Sequence, residues 1–189
     1  MDEILEGFRE ETKGLLQELG DILEEVEEDL SKNQKLEDFG QRIDRIMGAA
    51  KTLNVDFPHP VFNDVGAFAE VCKIVGYKAS QLKNQPDFCN IVVAFLLDAV
   101  DVLNQIVDQL KPHNKTDINQ LIPKTFLDRL RFIASKFDTS LRATLGSTAS
   151  SEPKLDSQKS STAPSAKEDA AQTQNTIDDL LKQLGVTDN

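Results

Sequence analysis

Basic residues, cysteine and histidine are scarce in this chain, and each shortage removes a class of function. Lysine and arginine number 21 against 32 aspartates and glutamates, a formal net charge of -11. A surface of that sign repels nucleic acid and anionic membrane at long range, so neither is an expected partner. Cysteine occurs twice, at Cys72 and Cys89, and histidine twice, at His59 and His113. Both histidines stand beside proline, in FPHPVF and KPHNK, while both cysteines fall among apolar neighbours of helical period. That makes no metal-ligand pattern, and neither a metal site nor a resident cofactor is expected. The thiols read as reduced core residues.

Long apolar runs are missing too. The longest, residues 91–97, is far too short to span a bilayer. The first residues, MDEILEGFREE, are acidic and amphipathic where a secretory signal is basic and then apolar, so the expected location is the cytoplasm. No segment alternates convincingly with a period of two, which argues against strands.

What is present instead is helical period. Leu5, Phe8, Leu15, Leu19, Ile22, Val26 and Leu30 make the apolar stripe of a long first helix, and the turn-prone residues 31–34 break it. A second helix takes residues 36–55 and is stopped by Phe57-Pro58-His59-Pro60, since each proline lacks an amide hydrogen. A third runs from Val61 to about Lys83, with Phe62, Val65, Ala69, Cys72, Val75, Ala79 and Leu82 facing inward. Gly66 and Gly76 within it point to close helix contact, because glycine otherwise costs about 1 kcal/mol there.

Pro86 opens a fourth helix that reaches Leu110, and its run 91–97 marks it as the expected most buried element. Thr116 or Asp117 is the expected cap of the next segment, and Pro123 the early turn of a fifth helix. Phe126, Leu130, Ile133, Phe137, Leu141 and Leu145 form its inner stripe. The expected fold is all-α, an antiparallel bundle of about five helices over residues 1–145.

Residues 146–175 are Ser, Thr, Ala, Pro, Lys and Gln with almost no large apolar side chain, a composition that predicts a disordered tether. Such a tether spans roughly 30 Å as a coil. In residues 176–189 an apolar stripe returns, with Thr176 and Asp179 at capping-box spacing and Gly185 as the stop. A helix this short is unstable alone in water, which points to docking on a partner or on its own bundle.

The second helix carries two opposed faces. Phe39, Ile43, Ile46, Ala50 and Leu53 face a core, and Glu37, Gln41, Asp44 and Gly48 fall opposite, a polar row ending in a glycine that bares the helix surface. An ordinary solvated helix face has the same pattern. Asp101 and Gln105 on the fourth helix repeat the acidic-x-x-x-Gln spacing, with Asn104 as a further carboxamide, and are the second-choice candidates.

Two families are resembled. The tail, Ile177-Asp178-Asp179-Leu180-Leu181-Lys182-Gln183-Leu184-Gly185-Val186, looks like the carboxy-terminal peptide of the CheZ family, which tethers the phosphorylated response regulator CheY to its phosphatase. Residues 37–47, EDFGQRIDRIM, resemble the catalytic helix of that family, with glutamate where the family usually has aspartate. The resemblance implies that Gln41 orients the attacking water and that Glu37 engages the receiver's active-site lysine. Mg2+ would belong to the receiver. Ile177, Asp178, Asp179, Leu180, Leu181 and Leu184 would dock the tail.

The succession from the acidic first helix through RIDRIMGAAKTLNV also looks like a histidine phosphotransfer domain. Asp44 stands at the histidine position, Gly48, Ala49, Ala50 and Leu53 match the small residues and leucine expected after it, and Met47 replaces the usual lysine. Without an imidazole in that helix, relay through histidine is excluded at this site. The resemblance leaves a receiver-docking face of Asp44, Arg45 and Gly48.

Together these imply a protein that binds a phosphorylated CheY-like receiver and promotes its dephosphorylation. A non-catalytic adaptor that docks or sequesters receivers is the alternative, and a helical oligomerisation module the third. Exposed apolar residues on the first helix would serve a homodimer or a monomer's core equally.

Overall fold

Five segments with apolar residues three and four apart can hide them only against one another, and the computed structural model has them do so. It describes residues 2–58, 60–110, 121–138 and 140–143. In chain order these form α1 (Asp2–Glu28), a 3-10 helix (Leu30–Lys35), α2 (Leu36–Asp56), α3 (Pro60–Ser80), α4 (Pro86–Asp108) and α5 (Lys124–Lys136). The fold is an all-α bundle, and no strand occurs among the described residues. The tether, the tail with its docking residues, the cap candidates Thr116 and Asp117, Leu145 and both histidines lie outside them.

The helices close a ring. α2 packs on α1 and α3, α4 packs on α1 and α3, and α5 lies against α4. Ion pairs record the antiparallel sense: Arg42 meets Glu18 at 2.7 Å, and Arg45, further along α2, meets Glu11 at 3.5 Å, further back along α1. On the other side Asp44 meets Lys73 and Lys51 meets Glu70, each at 2.8 Å. α2 and α4 therefore stand diagonally across the bundle.

α2 and α3 are the most closely packed pair, and two glycines are the reason. A methyl group at Gly76 would come within 2.8 Å of the Phe39 ring and 3.4 Å of the Leu36 carbonyl oxygen. One at Gly40 would come within 2.7 Å of the Tyr77 ring. Phe39-Gly40 and Gly76-Tyr77 thus interlock, each aromatic ring filling the place where the other helix lacks a side chain. A methyl group at Gly66 would also come close, 3.3 Å from the Lys51 side chain.

The inner stripe of α2 is as expected, with Phe39, Ile43, Ile46 and Ala50 buried and Leu53 partly so. Cys72 and Cys89 are buried, unpaired thiols, and burial pushes both above the usual thiol range. Among the described residues α4 is the one helix long and apolar enough to cross a membrane, and Val92, Val93, Phe95, Leu96, Leu103 and Ile106 use that apolarity inside the bundle.

Four expectations need correction. The most buried element is α3, not α4, because α2 covers one side of it while Phe126 of α5 stacks on Phe68 at 5.5 Å. Ile91 of α4 is instead exposed. Residues 31–34 are part of a 3-10 helix, capped by the Asp29 carboxylate, which accepts from the Ser31 amide at 3.1 Å. α3 ends at Ser80, short of Lys83, where the Asn33 side chain donates to the carbonyls of Ala79 and Leu82 at 3.2 and 2.8 Å and so closes the helix end.

The fourth concerns α5, which stops at Lys136. Phe137 is extended, and Asp138 accepts from the Ser140 amide at 2.8 Å to start a turn. Leu141 reaches the core from irregular chain, and Pro123 caps α5 rather than lying in its first turn.

Candidate functional site

Because the apolar stripe of α2 is turned to the core, the opposite face looks outward. Glu37 is half-buried, Gln41 exposed, Asp44 half-buried, Arg45 exposed and Gly48 exposed. Nothing lies within 4 Å of where a Gly48 side chain would begin, so the helix backbone is bare there. Val55, two turns further and on the same line, is 79% exposed. The result is a ridge about five turns long that begins at a carboxylate and ends at an exposed apolar residue.

Both flanks of the ridge are fastened. Arg42 and Arg45 tie it to carboxylates of α1, while Asp44 and Lys51 tie it to α3. Gln41 makes no side-chain hydrogen bond among the described residues. Its carboxamide is free both to donate and to accept, on a helix whose position is set by its neighbours.

Asp44 is not a free carboxylate. Lys73 donates to its Oδ1, and the lysine is the more buried partner, with 15% of its side chain accessible against 48% for the aspartate. Beneath the same edge lies Tyr77, buried against Gly40. Burial raises its hydroxyl above the ordinary phenol range, and the negative charges of Asp44 and then Glu37 push the same way. Tyr77 thus packs on Gly40, between the two carboxylates in the sequence of the ridge, and feels the charge of both. At its start Glu37 lines an open polar groove of about 830 Å³, with Asn33, Ser80, Gln81 and Lys83 among its walls.

No family model, no curated protein and no solved structure matches the chain.

The second-choice set is kept apart from the first. Asp101 and Gln105 are exposed on α4 and Asn104 is half-buried. Since α4 stands diagonally opposite α2, its outer face looks away from Gln41, and the two acidic-x-x-x-Gln pairs do not form one site. Among the described residues no cluster of three or more His, Cys, Asp or Glu side chains could hold a metal ion.

Lys73 and Tyr77 were not legible as site residues. They sit one turn apart on α3, and the available signal was Gly40: a glycine before Gln41 matched by the chain's single tyrosine beside Gly76.

Proposed function

We propose that the outward ridge of α2 receives a phosphorylated CheY-like receiver and promotes hydrolysis of its aspartyl phosphate, in signalling of the chemotaxis type. The observation that carries this reading is Gln41, exposed and unbonded on a helix fastened along both sides. In the proposed step water attacks phosphorus, the bond from phosphorus to the receiver's carboxylate oxygen breaks, and aspartate and inorganic phosphate result. Gln41 supplies geometry: it holds the water by accepting and donating hydrogen bonds without taking its proton. Positioning is the main lever in phosphoryl transfer.

Glu37, at the rim of the polar groove, would meet the receiver's lysine. Mg2+ belongs to the receiver, and the cytoplasm is where such a receiver acts. The tail residues would hold the receiver near the bundle through the tether, raising its local concentration.

One observation favours a second reading, a non-catalytic adaptor. Gly48 and Val55 offer bare backbone and exposed apolar surface, which is enough for docking without chemistry. Phosphate release from a phosphorylated receiver at substoichiometric chain, run beside a binding measurement, separates the readings. Repeated turnover that is lost in Gln41→Ala supports the phosphatase. Binding with unchanged decay leaves the adaptor, and the absence of both removes the receiver as a partner.

A further inference from the structure

Charge is unevenly distributed over the bundle. α1 carries eleven carboxylates and two cations, whereas α5 carries Lys124, Arg129, Arg131 and Lys136 against the single carboxylate Asp128. In a chain of net charge -11, α5 is a cationic helix.

α5 buries Phe126, Leu130 and Ile133, with Phe137 buried just past its end, and turns another aromatic ring outward. Phe132 is 46% exposed, with the Lys136 amine 5.6 Å from its ring centroid. Arg129, one turn before it, pairs with Asp98 of α4 and faces the Phe95 ring, so the basic row is held in place from below. Arg129, Phe132 and Lys136 therefore run along one line of the helix as cation, ring, cation. An exposed phenylalanine framed by cations suits an acidic amphipathic segment: apolar side chains cover the ring while carboxylates meet the flanking charges.

The chain contains such a segment. Residues 177–188 carry Ile177, Leu180, Leu181 and Leu184 as a stripe, with Asp178, Asp179 and Asp188 against Lys182. We infer that this tail docks on the outer face of α5 of its own bundle, its leucines over Phe132 and its aspartates toward Lys136, Arg129 and Lys124. The lengths agree. The described chain ends at Ala143, seven residues past α5, and a stretch as long as that from there to Ile177 would span roughly 30 Å as a coil. α5 itself is about 20 Å long, so its whole outer face is in reach.

The contact need not be strong. A tether of this kind gives an effective concentration of about a millimolar, so an interaction of millimolar strength already occupies the face for much of the time. The docking itself does not depend on receiver chemistry. Its consequence, that the docked tail is withheld from a receiver, rests on the function proposed above.

Paramagnetic broadening in the full chain tests it. A nitroxide on a Thr187→Cys variant labels the tail alone, because Cys72 and Cys89 are buried. The expected result is loss of amide peak intensity along Lys124–Lys136 and not along α1, reversed in Phe132→Ser/Lys136→Glu and weakened at about 0.5 M salt, where the Debye length is roughly 4 Å. Both substitutions are at exposed positions, so the fold is retained. Broadening spread equally over α1 and α5, or unchanged in the double variant, overturns the inference. So does broadening that appears only when labelled and unlabelled chains are mixed, which assigns the face to a second copy. None of these readings requires a receiver, so failure here is distinct from failure of the phosphatase reading.

Discussion

The ring of Tyr77 occupies the space in which a side chain at Gly40 would begin, its Cε1 only 2.7 Å from that point. The glycine immediately before Gln41 is therefore fixed by packing against α3, and the same contact sets how far the ridge of α2 stands from its neighbour.

Gly40→Ala is expected to destabilise the bundle by about 1–3 kcal/mol, the usual cost of forcing atoms into a filled space. Gly48→Ala is expected to be neutral or to stabilise by up to about 1 kcal/mol, since it meets open solvent and removes the helix penalty of glycine. Urea unfolding of the two variants checks the contrast. Equal effects would mean that α2 and α3 do not interlock at Gly40.

Ile43→Asp sets an unpartnered carboxylate at a site with no solvent access. The expected outcome is loss of about 3–5 kcal/mol or failure to fold, read by circular dichroism and thermal melting. A melting temperature like that of the wild type would mean that α2 is turned the other way.

Stability should fall toward both ends of the pH range. Glu25 is held below the ordinary carboxylate range chiefly by Lys35 and then Lys32, Asp29 by Ser31, and Asp138 by Ser140. A depressed carboxyl contributes stability that is present above its unfolded pKa of about 4 and is lost as the pH falls through the folded value. The buried thiols act in the opposite direction. With folded values raised, the unfolded chain releases its thiol protons first, so stability drops as the pH rises past about 8.5. Melting temperatures from about pH 3 to pH 10 should pass through a maximum between these limits. Burial lowers the pKa of the Lys78 amine, which acts in the sense opposite to the thiols at high pH, so a continued rise above about pH 8.5 that persists in Lys78→Met would contradict the burial of Cys72 and Cys89.

Much of the bundle was legible in the sequence because its signal is local. Periodicity located the five described α-helices, though not the 3-10 helix, and proline located the break before α3 and the start of α4. The inner face of α2 followed from Phe39, Ile43, Ile46 and Ala50. What failed depended on tertiary partners. The apolar run of α4 suggested the deepest burial, yet burial depends on how closely neighbours cover a helix, and α2 packs on α3 more tightly than any element packs on α4. The end of α3 is set by Asn33, 46 residues before Ala79, and no pattern within α3 announces it. At the site, the row Glu37, Gln41, Asp44 and Gly48 was visible from spacing. That Asp44 is held by Lys73 and that Tyr77 fills the space at Gly40 was not, since both need the register between two helices.

The central claim is that Gln41 itself, on a ridge already fixed in place, discharges a bound receiver. The most direct test is the decay rate of the receiver's acyl phosphate with the chain in saturating excess, comparing wild type, Gln41→Ala and Gln17→Ala, the last an exposed glutamine on α1. The expected result is equal acceleration by wild type and Gln17→Ala, and a return to the receiver's own rate in Gln41→Ala with binding retained. Decay in Gln41→Ala as fast as in the wild type would contradict the claim.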